Sequence, residues 1–222
     1  MKRKFQHIAY LLMVAAVITS CGEKKQTSEF PDWAWADFQR PEGINPIVSP
    51  DTTTVFYCPM RQDSVAWESS DTFNPAATIY DGKVVVLYRA EDNSAVGIGS
   101  RTSRLGYAYS DDGLHFNRIT VPVFYPADDN QKELEWPGGC EDPRVAVTDD
   151  GLYVMLYTQW NRKQARLAVA TSRDLQIWEK YGPAFAKAYG GRFFDEFSKS
   201  ASIVTKLVDG KQVIAKIDGK YW

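Results

Sequence analysis

Histidine is nearly missing from this chain: 222 residues hold two, His7 and His115. A multi-histidine metal centre is therefore effectively excluded, as is a Ser-His-Asp triad built on anything but His115. A basic surplus is missing as well. Lys and Arg number 26 against 28 Asp and Glu, a net charge of −2, so nothing suggests a nucleic-acid surface. The apolar run from Ile8 to Ile18 is too short to cross a bilayer comfortably. No window of useful length carries the apolar period of a helix. Cysteine is limited to Cys21, Cys58 and Cys140.

Lys2, Arg3 and Lys4 precede the Ile8–Ile18 run in the manner of a secretory leader. Ile18-Thr19-Ser20-Cys21-Gly22 looks like a bacterial lipobox. On that likeness residues 1–20 are a lipoprotein signal peptide and Cys21 is the lipidated residue. Residues 21–30 are then a flexible tether ahead of a domain spanning 31–222. The expected location is the bacterial cell envelope, periplasmic or on the outer-membrane surface, with lipid as the membrane contact. A non-lipidated signal peptide is the alternative. In an oxidising compartment Cys58 and Cys140 suit either a disulfide or two buried thiols.

What is abundant is aromatic: seven Trp, twelve Tyr and eleven Phe make 14% of the chain, a content that suits β-sheet packing and sugar stacking. Thr78 to Arg89 reads as two strands around Asp81-Gly82, a hairpin signal. Leu105 to Ser110 is a strand before Asp111-Asp112-Gly113. Val145–Val147 and Leu152–Thr158 flank Asp149-Asp150-Gly151. Arg166–Ser172 follows, then Ser202–Val208 and Gln212–Ile217 around Asp209-Gly210. The fold class is all-β. Two segments repeat: Pro75 to Gly82 aligns with Pro143 to Gly151, and Leu105 to Phe116 aligns with Leu167 to Trp178. The shared Ser-x-Asp-x-x-x-aromatic corner favours propeller blades over a sandwich, and places His115 in a structural turn. Ile214–Ile217, Asp218-Gly219 and Lys220–Trp222 read as a strand, a turn and the start of another strand. The repeat is therefore expected to continue past Trp222, and the chain alone to be inactive.

The stretch from Trp136 to Arg144, Trp-Pro-Gly-Gly-Cys-Glu-Asp-Pro-Arg, concentrates chemistry. Gly138 and Gly139 allow a tight turn or a close approach to a ligand. Pro143 is expected to hold Asp142 extended. A strand running on through Val147 would put Asp142 and Arg144 on one side and Glu141 on the other. Two uses fit: a saccharide-handling carboxylate, or a salt bridge between Asp142 and Arg144 that closes a turn.

Five stretches together resemble glycoside hydrolase family 130, the mannoside phosphorylases and mannosidases. They are Arg40 to Ile47 (Arg-Pro-Glu-Gly-Ile-Asn-Pro-Ile), Phe73 to Ala77 (Phe-Asn-Pro-Ala-Ala), Tyr88 to Asp92 (Tyr-Arg-Ala-Glu-Asp), Ser103 to Phe116, and Gly139 to Arg144. The resemblance implies a five-bladed β-propeller with the sugar in its axial cavity, this chain covering roughly the first three to four blades. It implies Asp142 as the proton donor of an inverting reaction, relaying its proton through a mannose hydroxyl. It also implies substrate-binding positions at Asn74, Arg89, Asp92, Arg104, Glu141 and Arg144. An acid wants a raised pKa, whereas Arg144 two residues away would lower it. Tyr157, Trp136 and Trp160 are either sugar platforms or core. The implied partner is an oligosaccharide and no cofactor or metal is expected, with inorganic phosphate as co-substrate in a phosphorylase. Arg162, Arg166 and Lys220 are candidate phosphate ligands. The extracytoplasmic leader favours hydrolysis of exogenous β-mannosides. The alternatives are a phosphorylase releasing mannose 1-phosphate and a non-catalytic glycan-binding lipoprotein.

Overall fold

The structure, a computed structural model, describes residues 39–221. The signal peptide expected over residues 1–20, Cys21, the tether expected over 21–30, residues 31–38 and Trp222 lie outside the described residues. Every element below belongs to one compact unit that begins at Glu42.

A short hairpin comes first, β1 (Phe56–Cys58) against β2 (Asp63–Val65). Two four-stranded antiparallel meanders follow. The first is β3 (Asp71–Tyr80), β4 (Lys83–Glu91), β5 (Ser103–Ser110) and β6 (Asn117–Arg118). A single helical turn, α1 (Lys132–Glu135), leads into the second: β7 (Gly139–Val147), β8 (Tyr153–Trp160), β9 (Ala165–Ser172) and β10 (Glu179–Pro183). Hairpins β11 (Thr205–Val208) with β12 (Lys211–Ile214), and β13 (Lys216–Ile217) with β14 (Lys220–Tyr221), complete the described residues. Single parallel pairings join β5 to β7 at Ser103 and Gly139, and β12 to β7 at Val213 and Val147. The described residues are thus nearly all-β, as expected.

Local chemistry explains the turns. Asp81 and Gly82 stand at φ 48° and 73°, and Asp209 and Gly210 at φ 48° and 76°, the paired left-handed geometry of a two-residue hairpin. The repeated corner recurs atom for atom. Asp112 Oδ1 accepts the backbone N–H groups of Leu114 and His115, and Asp174 Oδ1 those of Gln176 and Ile177. The Ser110 and Ser172 hydroxyls each donate to their aspartate, at 2.8 and 3.0 Å. The left-handed step falls on Gly113 (φ 73°) in one corner and on buried Leu175 (φ 62°) in the other. Asp174→Ala removes the acceptor that holds the strained copy. It should cost about 1–2 kcal/mol in urea unfolding, and an unchanged midpoint would show that the corner stands without it.

β4 is buried on both faces, which is why Val84-Val85-Val86-Leu87 is a continuous apolar run and not an alternating one. Val85 and Leu87 face a core shared by the two meanders, with Leu105, Tyr107, Met155 and Tyr157. Val86 and Tyr88 face the β1–β2 hairpin, beside Phe56, Cys58 and Trp67. Cys58 and Cys140 are both free and buried, one in each of these cores, so of the two arrangements open to them it is the thiols that form.

Strand β7 begins at Gly139, which corrects the reading of a strand opening only after Arg144. The pairing slips between Glu141 and Arg144, and β3 slips in the same way between Phe73 and Ala76. These two bulges occupy equivalent places in the repeat, and β3 lies against β7.

Candidate active site

The two bulges aim their residues at one another. In a regular strand Glu141 and Asp142 would point to opposite faces. The extra residue of the bulge puts both on the same guanidinium instead. Asp142 stands at φ 50° and Asn74 at φ 46°, which overturns the extended conformation expected before proline. Left-handed backbone is strained for most L-residues but tolerated by Asp and Asn, so the residue type fits the geometry. Asn74 donates through Nδ2 to Asp142 Oδ1 at 2.8 Å.

Arg89 is the centre of the group. Alternation along β4 places it on one side with Glu91, and its Nη2 meets Glu91 Oε1 at 2.6 Å and Glu141 Oε1 at 2.9 Å. Its Nη1 meets Asp142 Oδ1 at 3.1 Å, and its Nε donates to Ser103 Oγ at 3.0 Å. The Phe73 ring lies 4.5 Å from the guanidinium carbon. Arg89, Glu91, Glu141 and Asp142 are all buried. Lys199 closes the group from outside the strands, 2.5 Å from Glu141 Oε2 and 3.3 Å from Asp142 Oδ2. Its backbone is fixed next door, where Ser198 N–H donates to Ala165 O and Ser198 Oγ accepts Leu167 N–H.

These surroundings pull the two neighbouring carboxyls apart. Burial pushes Glu141 above the usual carboxylate range, and the charges of Arg89 and Lys199 offset this only in part. Burial also pushes on Asp142, but the Asn74 hydrogen bond with Arg89 and Lys199 outweighs it and holds Asp142 below its ordinary value.

Arg144 takes no part in this. Its Nη1 donates to Pro143 O at 2.7 Å and lies 3.5 Å from Pro75 O, so it ties the prolines of the two bulges and forms no salt bridge with Asp142. The glycines serve the backbone: a Cβ on Gly139, at φ 117°, would lie 2.2 Å from Ser103 O. The close approach is to β5 and not to a ligand. Asp92 and Arg104 are buried but pair with each other, at 2.8 Å. Arg104 follows Ser103 in β5 and so faces the other way, toward Cys58 Sγ at 3.6 Å. Asp92 Oδ1 caps its own loop at Ser94 N. Asn74, Arg89 and Glu141 therefore meet at Asp142, while Asp92, Arg104 and Arg144 engage elsewhere.

Tyr157 is fully buried with its hydroxyl on Glu135 Oε1 at 2.7 Å, so it belongs to the core. Trp136 and Trp160 are half-buried. Trp160 Nε1 donates to Gly99 O, and its ring pairs with Phe197, two residues before Lys199. Arg166 is held by Asp195 and Phe194 O, and Arg162 and Lys220 are exposed. His115 sits exposed in its turn against Asp112. Among the described residues no three His, Cys, Asp or Glu side chains are arranged to hold a metal ion.

Glu91, Ser103 and Lys199 escaped the sequence reading as site residues. Glu91 was legible, two residues from Arg89 in a predicted strand. Lys199 was not, because no periodic pattern surrounds it.

A buried cation binds two adjacent carboxylates whose surroundings push their pKa values in opposite directions, beside exposed Asn74 and Lys199, which makes this the candidate acid–base site. Residues 39–222 match the family model described as beta-1,4-mannooligosaccharide phosphorylase. The chain belongs to glycoside hydrolase family 130, a family of mannoside phosphorylases that also contains glycoside hydrolases.

It is 36% identical over 152 residues to the 1,2-beta-oligomannan phosphorylase of Thermoanaerobacter sp. (strain X514), covering 67% of this chain and 46% of that relative. Among the solved structures that share its fold are two with high identity. One, of a candidate glycosidase from Bacteroides thetaiotaomicron VPI-5482, is 99% identical with a TM-score of 0.85, covering 88% of this chain and 56% of that one. The other comes from work on family members that target beta-1,2 mannosidic linkages in Candida mannan. It is 70% identical with a TM-score of 0.84, covering 86% and 54%. The chain thus spans about half the length of the relatives it matches.

Proposed function

We propose that this site cleaves β-1,2-mannosidic bonds, with Asp142 as the proton donor and inorganic phosphate as the nucleophile. Phosphate attacks the anomeric carbon on the face opposite the leaving group, the glycosidic C–O bond breaks, and the departing oxygen takes the proton. The product is α-mannose 1-phosphate, by inversion. One observation carries the role of Asp142. Asn74 and Arg89 hold its Oδ1, while Oδ2 faces the half-exposed Lys199, so Oδ2 is the oxygen that can take a proton once that ammonium moves aside. The phosphorylase name of the Thermoanaerobacter relative supports phosphate as the acceptor over the hydrolysis expected from the leader.

Hydrolysis is the second reading. The 70% identical structure is tied to hydrolases of β-1,2 linkages, and Arg89 and Lys199, the cations on Asp142, are already committed to carboxylates. The proposal includes a five-bladed propeller enclosing the site in its axial cavity, supported by two meanders whose equivalent bulges meet. Lipid anchoring through Cys21 in the cell envelope is part of it too.

Turnover of β-1,2-mannobiose by the protein of the complete reading frame, with and without phosphate, is the test. Phosphate-dependent release of mannose 1-phosphate is expected. Equal release of free mannose in both conditions would establish hydrolysis, and binding without turnover would leave a glycan-binding protein.

A further inference from the structure

Two cations grip the Glu141–Asp142 pair, each by a different oxygen. Arg89 takes Glu141 Oε1 and Asp142 Oδ1, at 2.9 and 3.1 Å. Lys199 takes Glu141 Oε2 and Asp142 Oδ2, at 2.5 and 3.3 Å. The grips differ in permanence. The Arg89 side chain is 3% exposed, stacked on Phe73 and bound to Ser103, whereas that of Lys199 is 43% exposed. Lysine is a flexible point charge on a four-carbon stem, and Ser198 holds the backbone beneath it in place. The ammonium can therefore leave the pair without disturbing the strands.

The chemistry gives it a reason to leave. On the reading of Asp142 as proton donor, the inference rests on the same site, and a donor must carry a proton that Lys199 now keeps off Oδ2. We propose that Lys199 is an exchangeable counter-ion: the entering sugar displaces its ammonium from the Glu141–Asp142 pair, and one proton from solvent takes its place.

The charges facing the pair are Arg89 and Glu91 from β4 and Lys199 itself. One step further out, Arg101 lies 3.6 Å from Glu91 Oε2 and also pairs with Asp71. Asn74 from β3 is a neutral donor. With Asp71 and Arg101 included, four carboxylates meet three cations while Lys199 is in place and two without it, and a proton shared by the pair restores the balance. From the pair, Asp142 Oδ2 hands the proton to the glycosidic oxygen as its bond to the anomeric carbon breaks. The carboxylate is then regenerated for Lys199 to reclaim. Lys199 is thus a positioning residue, acting through Asp142.

Calorimetric titration with thio-linked β-1,2-mannobiose, which binds without being cleaved, tests this in two buffers of different ionisation enthalpy. The protein of the complete reading frame should take up about one proton per site on binding. Lys199→Gln, which has no ammonium for the sugar to displace, should take up close to none. The basic limb of its kcat/KM profile should move up by about 1–3 pH units, and Lys199→Arg should restore the wild-type limb. Binding without buffer-dependent heat, together with an unmoved limb in Lys199→Gln, would overturn the exchange while leaving β-mannoside cleavage intact. Failure of the wild type both to bind the thio-sugar and to turn over mannobiose would overturn the reading of the site itself, and this inference with it.

Discussion

Arg89→Met should be among the most destabilising substitutions this chain can suffer. The guanidinium serves three buried carboxylates, Glu91, Glu141 and Asp142. Removing one partner of a buried ion pair leaves uncompensated charge, at a cost of about 3–5 kcal/mol. Total stability is typically about 5–15 kcal/mol, so the loss would show as a large fall in the urea midpoint. Methionine keeps most of the packing against Phe73, which separates charge from volume.

The loss should also depend on pH, in a defined direction. Without Arg89, the Glu141 carboxyl, which burial already holds above the usual range, is raised further in the folded state. A raised carboxyl binds its proton more tightly folded than unfolded, so its penalty is absent below the unfolded pKa. The penalty grows as pH rises through the window up to the folded value. Arg89→Met should accordingly recover part of its deficit toward pH 4. A deficit that is small, or the same at pH 4 and pH 7, would show that the group is not held together by this cation.

Asp142→Asn should do the reverse, leaving the fold alone and removing the chemistry. Asparagine tolerates φ 50° and keeps an oxygen able to accept from Asn74 and Arg89. The melting temperature should stay within a few degrees of wild type. Turnover should fall about 10²-fold or more, the scale of general acid catalysis, and mainly in kcat. Asp142→Ala would add the strain of a left-handed alanine and orphan both donors, so it confuses the two effects that Asn keeps separate.

The hairpins were legible because their chemistry is local: Asp-Gly pairs encode left-handed turns wherever they stand between β-rich runs. The Ser-x-Asp corner was legible for the same reason, and as a repeat. The site was legible as a list and illegible as a shape. Pro143 argued for an extended Asp142, and i,i+2 spacing argued for an Asp142–Arg144 pair. Both inferences assume a regular strand, whereas the bulge of β7 meets that of β3 across 68 residues of sequence, a contact no local signal records. Asp92 and Arg104 carry the right residue types, but strand alternation turns Arg104 away from Arg89. Lys199 arrives from an irregular segment 57 residues beyond Asp142, held there by tertiary contacts with β9.

The central claim is that Asp142 supplies the proton to the leaving oxygen. It is tested most directly by comparing Asp142→Asn with wild type on two substrates, β-1,2-mannobiose and 2,4-dinitrophenyl β-mannoside. Dinitrophenolate departs without needing a proton, whereas a sugar alkoxide does not. The variant should lose about 10²-fold or more on the disaccharide and far less on the aryl mannoside. Equal losses on both substrates would assign Asp142 to binding or structure instead, and contradict the account.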